Sequence, residues 1–241
     1  MIRLRKSARA LLRNDLRKLS RDPVLLASAI VPLLLGLLLR FGLPALESLV
    51  ADQFDLAAHR PVITAGALVI TAMLGGWIVG FMLLEERAQR MIPALSVTPL
   101  TRRGFVAWRL LSPTIIALLG GLFVILLAAP GTLELGPALA ACGLMALSAP
   151  LFALALVGVA DNEVEGLALA KLGALAFMLP LVTVYLDPSQ AGAWVWVAGL
   201  LPPFWPIQLM LGGPWWTALA GLGVAGLWAV LLLRRLARRI E

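Results

Sequence analysis

Charge is scarce in this chain of 241 residues, and the scarcity argues against a soluble globular fold. Only 14% of the residues are Asp, Glu, Lys or Arg, whereas 61% are hydrophobic. Soluble domains are typically near half apolar and about a quarter charged. A bilayer core about 30 Å thick needs roughly 20 apolar residues per helical span, so a chain of this length holds about six spans. The composition therefore predicts an all-α integral membrane protein.

Cysteine and histidine are almost missing as well. Cys142 is the single cysteine and His59 the single histidine, which excludes an intrachain disulfide and leaves no set of thiolate or imidazole metal ligands. The phosphate-binding pattern GxxxxGK[ST] and the zinc-protease pattern HExxH do not occur in the sequence. We therefore expect that this chain is not an enzyme and binds no cofactor of its own.

The charged residues that are present are mainly basic and fall in blocks. The net charge is +7, and 18 of the 20 Lys and Arg residues lie in the N-terminal segment, in residues 85–109, in residues 161–171 or in the C-terminal tail. An anionic partner such as nucleic acid is one explanation; the enrichment of basic residues in cytoplasmic loops is the other. The block pattern favours the second. It predicts a multi-pass protein of the cell membrane with both termini cytoplasmic and no nucleic-acid partner.

The apolar segments predict six transmembrane helices in a single transmembrane domain, residues 1–241. The spans are about 23–43, 61–84, 108–129, 138–159, 166–186 and 215–233. Asp22 and Pro23 are typical of a helix start, with Asp as the N-cap and Pro at the first helical position. Gly76 and Gly80 in the second span have the spacing that lets another helix approach closely.

Residues 1–22 precede the first span, and within them residues 2–20 have an amphipathic pattern. Apolar residues recur there at spacings of three and four, while Arg9, Arg13 and Arg17 form a row on another face. A basic helix of this kind is typical of the membrane interface, with its apolar stripe in the acyl boundary. The alternative is a solvated, positively charged tail. The long charged segment before the first apolar run is not the pattern of a cleaved signal peptide.

Tryptophan and proline are concentrated between the fifth and sixth spans, where five of the eight tryptophans lie within or beside residues 187–214. The prolines at 202, 203 and 206 exclude one continuous helix. We expect a re-entrant helical hairpin that enters the outer leaflet and returns. The alternative is an aromatic belt at one helix end. The hairpin residues that we single out are Trp194, Trp196, Pro202, Pro203 and Trp205.

A short acidic connection precedes the fifth span on the side of the termini. Glu163 and Glu165 lie in this connection, and Lys171 lies near the start of the span. We predict that these residues form a gate pair on the cytoplasmic side, with Lys171 either reaching the headgroups or pairing with one of the acids. Because no ionisable residue lies deep in a span, the sequence gives no charge relay for a proton-coupled carrier.

The longest internal segment on the cytoplasmic side is 85–109. Glu85 and Glu86 lie at the end of the second span, where the negative end of the helix dipole disfavours acids. Arg90, four residues after Glu86, suggests that the helix continues past the membrane surface. A short helix parallel to the membrane fits the pattern; an ordinary basic loop is the alternative. The apolar face and the turn that follows consist of Ile92, Leu95, Thr98 and Pro99.

These features together resemble the type-2 ABC exporter permeases, the ABC-2 transmembrane subunits. The similarity rests on Glu85-Glu86-Arg87, on Val97-Thr98-Pro99-Leu100 and on the basic approach to the third span. The Val-Thr-Pro-Leu turn, the segment from Asn162 to Ala168 and the Pro-Pro-Phe-Trp-Pro sequence from Pro202 resemble the branch of fluoroquinolone-type drug export permeases. The resemblance covers nearly the whole chain.

The resemblance implies a permease that moves a hydrophobic small molecule or drug out of the cytoplasm or the inner leaflet. It implies two protein partners, a cytosolic ATPase subunit that uses ATP and Mg, and a second permease copy or a paralogue. The alternatives are a secondary carrier, or a membrane-embedded enzyme or accessory scaffold without ATP coupling, for which Asp52 or Asp55 would be the catalytic candidate. The implied ATPase-coupling residues are Glu85, Glu86, Arg87, Arg90, Ile92, Leu95, Thr98 and Pro99.

Overall fold

The computed structural model describes residues 2–89, 102–128, 133–186 and 188–240. These residues form helices and no strands, which confirms the predicted all-α class. Short helical turns lie at Leu38–Gly42, Ala57–His59 and Thr183–Tyr185. The helices are α1 (Ile2–Arg21), α2 (Pro23–Leu37), α3 (Leu43–Val50), α4 (Arg60–Ala88), α5 (Arg102–Ala128), α6 (Leu135–Val159), α7 (Glu163–Val182), α8 (Pro188–Gly199), α9 (Phe204–Met210) and α10 (Trp216–Ile240).

Six helical segments in the described residues are long and apolar enough to cross a membrane, and each overlaps one predicted span. They are Pro23–Val50, Ala57–Ala88, Gly104–Ala128, Leu135–Val159, Glu163–Tyr185 and Trp216–Leu236. The first is longer than predicted, because the helix continues through Pro44 to Val50. A π-helical turn at Leu38–Gly42 precedes Pro44. A turn of this kind shifts the backbone hydrogen-bond register where proline supplies no donor.

The helices α4 and α6 form the centre of the bundle. In each of these two helices, 72% of the residues in the apolar 18-residue stretch are buried, compared with 17–28% in the other four candidate spans. Glycine allows the close approach: a Cβ at Gly76 would overlap the carbonyl oxygen of Ala149 on α6. A Cβ at Gly80 would lie 3.3 Å from the Cα atom of Ala153. The predicted role of the Gly76 and Gly80 pair in helix packing is confirmed.

A single residue, Asp22, separates α1 from the first span. Its Oδ1 atom accepts hydrogen bonds from the backbone N–H groups of Val24 at 2.8 Å and Leu25 at 3.1 Å, so the predicted N-cap is confirmed. Leu19 of α1 packs against the buried Ile78 of α4 and its neighbours. The helix α1 is therefore held both by its connection to the first span and by side-chain packing.

The segment between the fifth and sixth spans contains two short helices, α8 and α9, as its prolines predict. The helix α8 is kinked at Gly192, whose φ of 31° favours glycine. Trp205 Nε1 donates to the carbonyl of Gly199 at 2.9 Å, and Trp228 Nε1 of α10 donates to the carbonyl of Leu200 at 2.8 Å. These bonds fix the turn between α8 and α9 against the last span. How deep the pair lies in a bilayer stays a prediction.

Candidate functional site

Six helix ends meet at one end of the bundle, which we call the terminal face. They are the C-terminal ends of α1, α4, α6 and α10 and the N-terminal ends of α5 and α7. Ion pairs and hydrogen bonds connect them: Lys18 contacts Glu85, Arg87 contacts Asp161, and Arg235 contacts the carbonyl of Gly158. The predicted coupling loop leaves and re-enters the bundle at this face.

A buried ion pair joins the two ends of that loop. Glu86, in the last turn of α4, is 3% exposed, and Arg109 of α5 is 4% exposed. Their side chains form an ion pair across 23 positions of sequence. Arg109 also donates from one terminal nitrogen to both carboxylate oxygens of Asp15 on α1, at 3.2 Å each. One guanidinium thus connects three helices.

The helix α1 contributes a cation to the same place. Lys18 Nζ lies 2.9 Å from Glu85 Oε2 and 3.8 Å from Glu86 Oε1. Trp108 Nε1 donates to Asp15 Oδ2 at 2.9 Å, so Asp15 accepts bonds from two consecutive residues of α5. We call Asp15, Lys18, Glu85, Glu86 and Arg109 the charge cluster.

The cluster explains how two acids are tolerated at the C-terminal end of α4. Carboxylates are unfavourable there because the last backbone carbonyls already carry partial negative charge. The spacing of Glu86 and Arg90 predicts that the helix continues past the membrane surface, but Arg90 lies outside the described residues and α4 ends at Ala88. The described counter-charges are Lys18 and Arg109, which come from two other helices.

Arginines from α4 and α10 bind the end of α6. Arg87 donates to the carbonyls of Ala160 at 3.3 Å and Val157 at 3.5 Å, and it pairs with Asp161 at 3.4 Å. Arg235 Nε donates to the carbonyl of Gly158 at 2.8 Å. The last carbonyls of a helix have no partner within the helix, so cationic donors stabilise them. The terminal face is thereby connected from α1 to α10.

Comparison with known proteins identifies the family. Residues 15–233 match the family described as fluoroquinolones export permease protein Rv2686c-like. The chain belongs to this family. Two relatives from Mycobacterium tuberculosis are the fluoroquinolones export permease proteins Rv2686c, of strain ATCC 25618 / H37Rv, and MT2760, of strain CDC 1551 / Oshkosh. Each is 30% identical over 234 residues, which cover 92% of this chain and 90% of the relative. No solved structure matches this chain.

The match confirms the resemblance that the sequence motifs carried. The matched segment of this permease begins at Asp15 and ends at Leu233, so it contains the whole charge cluster. Of the predicted ATPase-coupling residues, Glu85, Glu86 and Arg87 lie at the terminal face. The others, Arg90, Ile92, Leu95, Thr98 and Pro99, lie outside the described residues, and their role stays a prediction.

The predicted gate residues of the permease are not brought together. Glu165 accepts from the backbone N–H of Asp161 at 2.9 Å and from Asn162 Nδ2 at 3.0 Å, while Asn162 Oδ1 accepts from the Glu165 N–H at 2.9 Å. This reciprocal arrangement is a variant of the capping box at the start of α7, in which Glu165 bonds to the backbone of the residue before the N-cap. Glu163 and Lys171 are exposed, and Lys171 has no ion pair in the part of the chain that the structure describes. A gate at these residues stays a prediction.

The predicted hairpin residues divide into exposed and packed ones. Trp194 and Trp196 of α8 are 64% and 80% exposed. Pro202 and Pro203 are buried in the turn, and Trp205 is half-buried against Trp216 with ring centroids 5.9 Å apart. The exposed pair is thus available to lipid or to another chain, whereas the other residues hold the turn.

Sequence reasoning missed Asp15 and Lys18 as site residues. Both lie on the face of α1 that packs on α4 and α5. One signal was present: Asp15 is the single acid among the residues of α1. It lies four positions from both Leu11 and Leu19, so it falls on their helix face. An isolated acid on the packed face of a basic helix indicates a cationic partner elsewhere in the fold.

Proposed function

We propose that this permease is the transmembrane subunit of an ATP-binding cassette exporter. A separate cytosolic ATPase would dock at the terminal face through residues 85–100, and two permease subunits, identical or paralogous, would form the transport unit. The cargo would be a hydrophobic small molecule taken from the cytoplasm or the inner leaflet. Family membership, the relatives named for fluoroquinolone export and the basic blocks support this proposal.

Family membership carries the exporter proposal, and the buried pair of Glu86 and Arg109 carries the proposed coupling through the loop. The pair closes the base of the loop between α4 and α5, and Asp15 extends it to α1. Since α1 runs directly into the first span, a displacement of the loop would move the first three spans together. Packed and paired elements of this kind switch between discrete arrangements rather than deforming continuously.

The geometry of the pair argues for a role beyond stability. Within the described residues, Glu86 Oε2 and Arg109 Nε are buried without a hydrogen-bond partner. A buried ion pair offsets the cost of removing two charges from water only when its geometry is good and the remaining polar atoms are satisfied.

A pocket between helices supports an apolar cargo. It has a volume of about 290 Å³, lies between α6, α7 and α10 beside the turn at Leu201 and Pro202, and is open on one side. Its wall is almost entirely carbon and includes Phe152, Phe177 and Trp228. Cavities that bind small molecules are typically of this kind, apolar with few polar groups.

The docking proposal is tested by copurification of the tagged permease with its ATPase. Leu95→Asp in the loop should abolish copurification, because a charge replaces an apolar docking residue. Leu49→Asp is the matched control, since Leu49 is 79% exposed at the opposite end of the bundle. Retention of the ATPase by the Leu95 variant, or equal loss in both variants, would contradict docking through this loop.

ATP coupling is tested in inverted membrane vesicles loaded from outside with a fluoroquinolone. Uptake should require both ATP and the ATPase subunit and should persist when an uncoupler collapses the proton gradient. Uptake that fails with the uncoupler while ATP is held constant would indicate a secondary carrier instead. Loss of function in Asp52→Ala or Asp55→Ala, with no dependence on ATP, would support an enzyme.

A further inference from the structure

The described part of α1 has three distinct faces. Asp15, Lys18 and Leu19 face the bundle, where they contact α4 and α5 or the cluster around Ile78. Leu12 and Leu16, one turn apart, are 47% and 54% exposed. The third face is basic and consists of Arg13, Arg17 and Arg21, all exposed.

The three arginines of the basic face are uncompensated. In the ranges covered by the structure, no carboxylate forms an ion pair with any of them. They recur every four residues, so their guanidinium groups follow one line along the helix. The two acids of α4 that lie against α1, Glu85 and Glu86, are already paired with Lys18 and Arg109. The positive charge of this face is directed outward.

A groove runs between the leucines and the arginines. It is a shallow depression on the surface of α1, widely open to its surroundings, and is lined by Leu12, Arg13, Leu16, Arg17 and Ser20. Its walls thus combine apolar surface on one side with guanidinium donors on the other. Arginine donors in a fork geometry suit phosphate oxygens, and the adjacent leucines suit the first methylene groups of an acyl chain.

We propose that this groove binds the headgroup phosphate of an anionic phospholipid, with Arg13 and Arg17 on the phosphate and Leu12 and Leu16 along the acyl chain. Arg21 adds attraction at the end of the row. The inference goes beyond the proposed export function and does not depend on ATP coupling, on the cargo or on the loop at 90–101.

The position of α1 selects a lipid surface over a soluble partner. Only Asp22 separates Arg21 from Pro23, the first residue of a transmembrane helix. The basic row is therefore held at the height where the first span leaves the bilayer, and its exposed leucines lie beside it. Basic amphipathic helices at this height bind anionic lipids, with each Lys or Arg contributing about a fivefold gain in affinity.

The site also has a structural consequence for the charge cluster. The helix that presents Arg13 and Arg17 to the lipid presents Asp15 and Lys18 to Arg109 and Glu85. Lipid bound on the outer face would hold α1 in the orientation that compensates the acids of α4. Anionic lipid should therefore stabilise the whole protein and not only the helix.

Native mass spectrometry of the full-length permease with mixed phosphatidylglycerol and phosphatidylcholine tests the proposal. The wild type should retain phosphatidylglycerol preferentially. Arg13→Gln/Arg17→Gln/Arg21→Gln should lower the phosphatidylglycerol affinity at least about tenfold, with phosphatidylcholine binding unchanged. The single variant Arg17→Gln, expected to lose about fivefold, covers the case in which the triple variant does not fold.

Two further variants separate the groove from general charge. Arg234→Gln/Arg238→Gln/Arg239→Gln removes the same number of charges from the C-terminal tail and should keep the lipid preference within about twofold, since it leaves the row on α1 intact. Arg13→Lys/Arg17→Lys/Arg21→Lys keeps the charge but loses the guanidinium fork, so it should bind phosphatidylglycerol more weakly than the wild type and more tightly than the triple glutamine variant. Millimolar glycerol phosphate should not displace the lipid, because it lacks the acyl chain.

Three results would overturn the proposal. The first is unchanged phosphatidylglycerol preference in the triple glutamine variant. The second is an equal loss in the tail variant, which would indicate general electrostatic attraction. The third is a triple glutamine variant that no longer copurifies with the ATPase but binds phosphatidylglycerol as the wild type does. This result would make the basic face a protein-docking surface.

Discussion

The two ends of the bundle hold their charged residues in different ways. In the charge cluster at the terminal face, ion pairs join residues 23, 67 and 94 positions apart and connect three helices. At the opposite end, Glu47 and Arg60 are 13 positions apart and join two consecutive spans. The side chains of Glu86 and Arg109 are at most 4% exposed, whereas the Arg60 side chain is 27% exposed.

The difference indicates what each end does. An ion pair between consecutive spans restrains a turn that the chain connection already restrains. A cluster that joins α1, α4 and α5 restrains elements that the sequence leaves independent. Motion applied to the loop at the terminal face would thus be shared among three spans, whereas the ion pair at the opposite end joins only two.

The largest expected effect comes from removing the central guanidinium. Arg109→Met should lower the free energy of unfolding by about 3–5 kcal/mol, because it leaves Glu86 buried without its main counter-charge. Denaturant unfolding in detergent measures the change. Glu86→Gln/Arg109→Met should recover part of the loss, since position 86 no longer carries a buried charge while Asp15 still lacks its partner Arg109. A loss below about 1 kcal/mol in the single variant would mean that the pair is accessible to water.

A smaller effect is expected at α1. Asp15→Asn removes the charge that Arg109 and Trp108 bind and should cost about 2 kcal/mol. It should also increase amide hydrogen exchange along α1, because the helix loses its ionic contact with α5. Asn14→Ala on the exposed side of the same helix is the control and should leave exchange unchanged. Equal protection in both variants would show that packing by Leu19 alone holds α1.

A still smaller effect on the free energy of unfolding is expected from Arg235, which binds the C-terminal end of α6. Arg235→Gln removes the donor to the Gly158 carbonyl and should cost about 1 kcal/mol in the same unfolding measurement. Arg234→Gln, one residue earlier and exposed, should stay within about 0.5 kcal/mol of the wild type. If both variants lose the same amount, the effect comes from the charge of the tail rather than from the cap.

The smallest effect is expected at the opposite end. Glu47→Gln should lower the free energy of unfolding by less than about 1 kcal/mol, because partly exposed ion pairs contribute little. The difference from wild type should shrink further in 1 M salt, where screening acts over roughly 3 Å. A cost equal to that of Arg109→Met would remove the contrast between the two ends.

The sequence predicted those features whose signals are local. Hydropathy located all six candidate spans, Asp22 was recognised as an N-cap from its position beside Pro23, and the prolines at 202 and 203 predicted the broken segment. The capping box of Asn162 and Glu165 was also readable from its spacing of three, although the acids there were interpreted as a gate.

Tertiary partners were not predictable in the same way. The only charged neighbour that helix periodicity suggests for Glu86 is Arg90, four residues away, because periodicity reveals only neighbours on the same helix. Lys18 and Arg109 come from other helices, and no periodic pattern specifies which helix faces which. The extension of the first span to Val50 was missed because Pro44 is ordinarily a helix boundary, and the π-helical turn before it has no sequence signature.

The central claim is that the pair of Glu86 and Arg109 transmits motion from the loop to the spans. The most direct measurement is ATP-dependent fluoroquinolone uptake into inverted vesicles by Glu86→Gln/Arg109→Met, with Glu47→Gln/Arg60→Met as the matched control. The terminal-face variant should still copurify with the ATPase but lose uptake at least about tenfold, while the control stays within about twofold of wild type. Wild-type uptake by the terminal-face variant, or equal loss in both, would contradict the claim.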